Sequence, residues 1–116
     1  VACSFCQEFG IDENEMFRIA EGFGLGMGVM EMCGALSGMA MIIGLSNSRG
    51  NTEEGSGSKG DTYKKLRTYI QKFKEKNGSC ICRELKGVET GKVLCSCPQC
   101  ITDAVALTEE YLAENR

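Results

Sequence analysis

Residues 29–45 read VMEMCGALSGMAMIIGL, and this stretch of the sequence decides the fold. Its side chains are apolar on every side of a helix apart from Glu31, and helices of this kind are buried in a protein core. Gly34 and Gly38 stand four residues apart, a spacing that allows a second backbone to pack closely. Because four glycines precede the stretch and the overall hydropathy is ordinary, we predict a core helix and no membrane span.

Helical patterns also mark the segments before this core helix. Residues 1–9 are typical of a short helix that ends at Gly10. Asp12 followed by Glu15 is a capping-box pattern, and it opens a helix with apolar residues at the i, i+3, i+4 and i+7 positions. The predicted inward face of that helix consists of Met16, Ile19, Ala20 and Phe23.

Two longer helices are predicted in the second half of the chain. Asp61 caps the first, which runs to about Lys76, and the second begins at Cys97 and Pro98. The core stripe of the first helix is Tyr63, Leu66, Ile70 and Phe73, and the second carries Ile101, Ala104, Val105, Leu107 and Leu112. Residues 46–60 are polar and glycine-rich, so we expect a flexible loop there. No strand pattern is present, so we predict an all-α fold, a bundle of four to five helices in one domain spanning residues 1–116.

Composition restricts the function of this chain of 116 residues. The formal net charge of −3 does not suit a nucleic-acid partner, whose binding surface is usually basic. Histidine is absent, which excludes a Ser-His-Asp triad, a Cys-His pair and any zinc site with histidine ligands. No paired carboxylates stand out, and whether the chain is an enzyme stays open. Without histidine, any soft-metal site must be built from cysteine thiolates, with a carboxylate or water as a further option.

Cysteine placement is the main functional signal. The eight cysteines stand at positions 3, 6, 33, 80, 82, 95, 97 and 100, and five of them fall between residues 80 and 100. Cysteines that only fill a core would be scattered along helical stripes. These cluster in predicted turns and at helix starts, which indicates a metal or redox site.

The motif Cys97-Pro98-Gln99-Cys100 suits thiol chemistry. Proline favours the first helical position, so we predict Cys97 as the N-cap and Cys100 at the third helical position. Free backbone N–H groups and the helix dipole there would lower the thiol pKa and favour thiolate. Cys97 could then attack a disulfide and Cys100 resolve it, or both could bind a metal. With Cys82 and Cys33 added, a site of four sulfurs is favoured, since small residues after Cys33 leave room for a bulky group.

Several short segments together resemble the C_GCAxxG_C_C family of redox-active proteins. They are Phe9-Gly10-Ile11-Asp12, Ala20-Glu21-Gly22-Phe23-Gly24, Cys33-Gly34-Ala35-Leu36-Ser37-Gly38, Cys82-Arg83-Glu84-Leu85 and Cys97-Pro98. The resemblance places Cys33, Cys82 and Cys97 at cysteines for which the family is named. The family also looks related to the cluster-bearing part of split-Soret cytochromes, which implies an iron–sulfur cluster and, without histidines, no haem.

Two features depart from the family pattern. The family's first cysteine is expected about three helical turns before Gly10, which is ahead of Val1. Either this cysteine is missing here, or Cys3 or Cys6 substitutes for it. The order Cys33-Gly34-Ala35 also differs from the Gly-Cys-Ala of the family name. The fourth ligand is therefore open, with Cys95 and Cys100 as the nearby candidates.

Three hypotheses follow from the sequence. The first is an electron-transfer protein whose iron–sulfur cluster is held by Cys33, Cys82 and Cys97 with Cys95 or Cys100. The second is a dithiol–disulfide protein that uses Cys97 and Cys100, and the third is a structural zinc site with four cysteines that supports partner binding. We expect a redox partner protein, with a homodimer as a further option. Free thiols suggest the cytoplasm, and the start at Val1 suggests a segment upstream.

Overall fold

The computed structural model describes residues 1–115 and contains helices without any β-strand in that range. The α-helices are α1 (Ala2–Phe5), α2 (Glu13–Ala20), α3 (Gly34–Asn47), α4 (Lys59–Asn77), α5 (Cys82–Lys86) and α6 (Cys97–Glu114). A 3₁₀ turn at Cys6–Phe9 extends α1. The all-α prediction is confirmed. Across residues 1–115, no helix combines the length and apolar character needed to cross a membrane.

Helix α3 forms the centre of the core and packs against α1, α4 and α6. Leu36, Met39, Ile42 and Ile43 on this helix are fully buried. Each large apolar side chain removed from water in this way stabilises the fold by about 1.5–3 kcal/mol. The predicted core helix is therefore present, although it begins at Gly34 and not near residue 29.

Left-handed backbone explains the later start of α3. Leu25, Met27 and Met30 have φ angles of 53°, 61° and 59°, a region that side chains rarely adopt, and they lie in the glycine-rich turn before the helix. A regular helix cannot pass through these angles. The chain instead folds into an irregular turn that brings Glu31 and Cys33 to the helix start.

Two glycines of α3 allow other segments to pack against its backbone. A Cβ atom on Gly34 would lie 2.7 Å from the carbonyl oxygen of Phe23, and one on Gly38 would lie 3.0 Å from the Cβ of Val1. Both distances are too short for a side chain to fit without displacement of its neighbour. The glycine pair therefore serves tight packing within the chain, as the sequence indicated.

Polar and aromatic contacts join α4 to α6. The rings of Tyr69 and Tyr111 meet edge to face at 5.6 Å, and the Tyr69 hydroxyl donates to Glu114 at 2.8 Å. At the other end, Lys76 Nζ donates to the buried carboxylate of Asp103 at 2.6 Å. Burial alone would raise the pKa of Asp103, but hydrogen bonds led by that of Lys76 outweigh it and hold the pKa below its ordinary value. This pairing fixes the end of α4, from which the cysteine-rich segment departs.

The structure corrects several local predictions and confirms others. Asp12 caps α2 by accepting from the Glu15 amide at 3.0 Å, as predicted. Helix α4 begins at Lys59 with Ser58 at the N-cap, so the prediction that Asp61 caps it is wrong. Ile19 and Tyr63 were predicted to face the core but are 59% and 53% exposed. Met16 is buried on α2 as predicted, whereas on α4 Tyr69, which was not predicted to face the core, is buried and Tyr63 is not.

A Gly34→Ala variant should lose stability because its Cβ would collide with the Phe23 carbonyl. We expect a loss of about 1–3 kcal/mol, the usual cost of overpacking. Gly44→Ala is the matched control on the same helix, since a Cβ there meets nothing within 4 Å. It should raise stability by up to about 1 kcal/mol through helix propensity. Urea unfolding followed by circular dichroism measures both, and equal effects would contradict the packing assigned to Gly34.

Candidate functional site

A cavity of about 500 Å³ brings most of the cysteines together. Its wall includes Cys3, Cys33, Cys82, Cys95, Cys97 and Cys100, while Cys6 and Cys80 are outside it. The remaining wall is mostly apolar and includes Phe17, Phe23, Leu25, Met41 and Ile101. All five cysteines predicted as candidate ligands thus lie on one cavity, although they come from three separate segments of the chain.

Backbone pairing brings together the two segments that carry Cys33 and Cys82. The Cys33 amide donates to the Cys80 carbonyl at 2.9 Å, and the Cys82 amide donates to the Glu31 carbonyl at 2.6 Å. Met32 and Ile81 form an antiparallel bridge between these two bonds. Cys33 therefore stands at the N-cap of α3, directly beside the start of α5, and not within a helix as the sequence suggested.

Gly26 makes this pairing sterically feasible. It is buried with φ of 56°, and a Cβ there would lie 2.5 Å from the Glu31 amide nitrogen and 3.0 Å from the Cβ of Cys82. No other residue fits without moving the segment that carries Cys82. Among the alternating glycines before α3, Gly26 thus has a packing role beside the site.

The start of α6 differs from the sequence prediction. Ser96 is the N-cap, and its Oγ accepts from the Gln99 amide at 3.3 Å. Cys97 is therefore the first helical residue and not the cap. The Cys100 amide already donates to the Ser96 carbonyl at 2.8 Å, so it is not a free N–H.

Burial controls the titration of two thiols in the cavity. Burial raises the pKa of Cys100 above its ordinary value of 9.0, and the neighbouring thiols of Cys95 and Cys33 raise it further. Burial also raises the pKa of Cys82, although the positive charge of Lys86 opposes this. The prediction that the helix start lowers the pKa of Cys100 is wrong, because desolvation outweighs the helix dipole. A metal that binds these sulfurs must displace their protons.

The donor set fits a soft metal in its chemistry. Thiolates are the ligands that zinc and iron–sulfur clusters use, and five predicted ligands share one cavity. Within residues 1–115, however, no three cysteine, aspartate or glutamate side chains already stand in an arrangement that would hold a metal ion. The cavity thus collects the donors but does not present a preformed ligand cage.

Two lining residues were not among the ligands predicted from the sequence. Cys3 belongs to α1, and the sequence offered it only as one of two possible substitutes for the family's first cysteine. Lys86 lines the cavity from the end of α5. Its position four residues after Cys82 could have indicated a shared helical face.

Comparisons with known proteins identify one similarity. Residues 1–111 match a family described as "Putative redox-active protein (C_GCAxxG_C_C)". No curated protein and no solved structure matches the chain. The matched segment contains all eight cysteines and every residue of the cavity wall named above.

The metal-free protein should lose stability as the pH rises above about 9. Below that pH, Cys100 is protonated in the folded and unfolded states alike; above it, only the folded state, with its raised pKa, keeps the proton. Unfolding is then favoured by increasing pH. Urea unfolding in strong reductant should show a smaller decline for Cys100→Ala than for the wild type. Cys97→Ala is the control, since it removes an exposed thiol of the same helix, and it should retain the wild-type decline. If the decline in Cys100→Ala is also unchanged, the buried Cys100 thiol is not its cause.

Proposed function

Because the chain belongs to the C_GCAxxG_C_C family of redox-active proteins, we propose that its cysteine cavity binds an iron–sulfur cluster for electron transfer. The observation that carries the proposal is the one cavity shared by all five predicted ligand cysteines, which come from three chain segments. Cys33, Cys82 and Cys97 would hold the cluster, with Cys95 or Cys100 as the fourth ligand. The bound cluster would supply one-electron redox chemistry.

The pattern of buried and exposed cysteines around the cavity suits a bound cluster. Cys33, Cys82, Cys95 and Cys100 are at most 9% exposed, so a group bound among them would be largely protected from water. Cys97 is exposed and stands on the side through which electrons could reach a partner protein. Lys86 and Arg83 lie close enough to Cys82 to favour its charged form, and they would offset negative charge on bound thiolates.

The proposal covers the whole chain as one cysteine-rich redox domain, residues 1–116. Support comes from a single buried cluster to which α1, α2, α3, α4 and α6 all contribute, and which includes three of the cavity cysteines. The eight cysteines are free thiols, which suits a reducing compartment such as the cytoplasm.

A dithiol–disulfide role is the second candidate, and one contrast favours it. Cys97 is exposed whereas Cys100 is buried, as expected for an attacking and a resolving thiol. The Cys97 thiolate would attack a partner disulfide and form a mixed disulfide, releasing one partner thiolate. Cys100, after losing its proton, would then attack Cys97, leaving the partner as a dithiol and this chain with a disulfide.

Protein purified without oxygen should contain iron and acid-labile sulfide and absorb visible light. Cys33→Ser, Cys82→Ser and Cys97→Ser should each reduce the bound iron several-fold, because each removes one thiolate ligand. Cys80→Ser is the matched control, since this half-buried thiol lies outside the cavity wall. Comparison of Cys95→Ser with Cys100→Ser identifies the fourth ligand.

Elemental analysis separates this proposal from the structural zinc site. If the protein contains no iron or sulfide after anaerobic reconstitution, cluster binding is refuted. Tightly bound zinc whose removal unfolds the C-terminal half would instead establish the structural site with four cysteines.

The dithiol candidate predicts that Cys100→Ser accumulates mixed disulfides with partner proteins. The exposed Cys97 would still attack, but the thiol that resolves the intermediate would be missing. Non-reducing electrophoresis after acid quenching detects such species. The double variant Cys97→Ser/Cys100→Ser should trap nothing, and an equal yield from both variants would exclude Cys97 as the attacking residue.

A further inference from the structure

The mouth of the cysteine cavity is surrounded by exposed apolar side chains. Phe17, Leu25 and Ile101 line the cavity, yet they are 64%, 48% and 49% exposed. They come from α2, from the glycine-rich turn and from α6. Exposed apolar surface that surrounds a cavity is typical of a binding interface, whereas single exposed residues are common on any protein.

Exposed apolar side chains are also concentrated in the adjoining stretch of the chain. Of the eleven large apolar side chains that are exposed in residues 1–115, five lie between residues 17 and 29: Phe17, Ile19, Leu25, Met27 and Val29. Leu25 and Met27 also have left-handed φ angles, a conformation that costs a non-glycine residue free energy. Burial does not explain these exposed side chains, and favourable backbone geometry does not explain Leu25 and Met27, which makes this part of the chain a candidate for an interface.

Charges at the same mouth indicate what covers it. Glu21 and Lys86 both line the cavity and are exposed, and neither forms an ion pair within residues 1–115. A rim of one sign would fit a partner of the opposite sign. A rim with one negative and one positive group around an apolar centre is complementary to a second copy of itself.

We infer that a second copy of this chain covers the cavity mouth in a two-fold symmetric dimer. Glu21 of one protomer would face Lys86 of its partner, and the reciprocal pair would form by symmetry. Phe17, Leu25 and Ile101 of both protomers would bury one another at the centre. The dimer would set the two cavities mouth to mouth. This inference goes beyond the proposed cluster and does not depend on a bound metal.

Sedimentation velocity of the full chain in reductant tests the apolar part of the interface. The wild type should form a concentration-dependent dimer with and without metal. Phe17→Asp and Ile101→Asp should be monomeric at concentrations where the wild type is dimeric, because each places two buried charges at the centre. Tyr63→Asp is the control, since Tyr63 is 53% exposed on α4 and is not part of the cavity wall. A wild type that stays monomeric at every concentration would overturn the inference.

Charge reversal tests whether the occupant is a second copy. Glu21→Lys alone and Lys86→Glu alone should each weaken dimerisation about tenfold. The two-fold symmetry repeats each reversed charge in both ion pairs of the dimer, so both pairs become repulsive. An equimolar mixture of the two variants should form a heterodimer, and the double variant should dimerise like the wild type. Single variants that dimerise as well as the wild type, or a mixture that stays monomeric, would refute the pairing of Glu21 with Lys86.

Discussion

Two backbone hydrogen bonds between residues 31–33 and 80–82 hold the candidate site together. They join the segment that carries Cys33 at the start of α3 to the segment that carries Cys82 at the start of α5, although α3, a loop and α4 separate these residues in the chain. Backbone bonds of this kind fix position more firmly than side-chain contacts, because both partners belong to the main chain. The buried Gly26 is what allows the two segments to approach.

The rest of the site is built outward from this pairing. The Leu85 carbonyl at the end of α5 accepts from the amides of Leu94 and Cys95. These two hydrogen bonds hold Cys95 next to α5 and the cavity. Ser96 then caps α6, so that Cys97 lies at the exposed end and Cys100 one turn inside. The Cys100 Sγ donates to the Cys95 carbonyl at 3.8 Å, which links the first turn of α6 to the segment before it. Three helix starts thus converge on one cavity.

Burial gives the cavity its chemical character. Desolvation keeps Cys100 and Cys82 protonated at neutral pH, so these thiols are unreactive until a metal replaces the protons or a base removes them. Reactive thiolates would be exposed to oxidation and unwanted disulfide exchange. A cavity that protects its sulfurs while leaving Cys97 accessible suits a protein that receives a redox group or meets a partner at one face.

The sequence by itself determined the all-α class, the core helix and the grouping of cysteines, because these follow from apolar periodicity, capping residues and spacing along the chain. It also indicated Cys33, Cys82 and the Cys97-Pro98-Gln99-Cys100 segment as parts of one site. Only the tertiary structure decided that Ile19 is exposed, that Cys3 and Lys86 line the cavity, and that burial raises the pKa of Cys100. Sequence patterns within one segment do not determine which face of a helix is buried or how far a thiol is removed from water. Both depend on atoms contributed by segments distant in the chain.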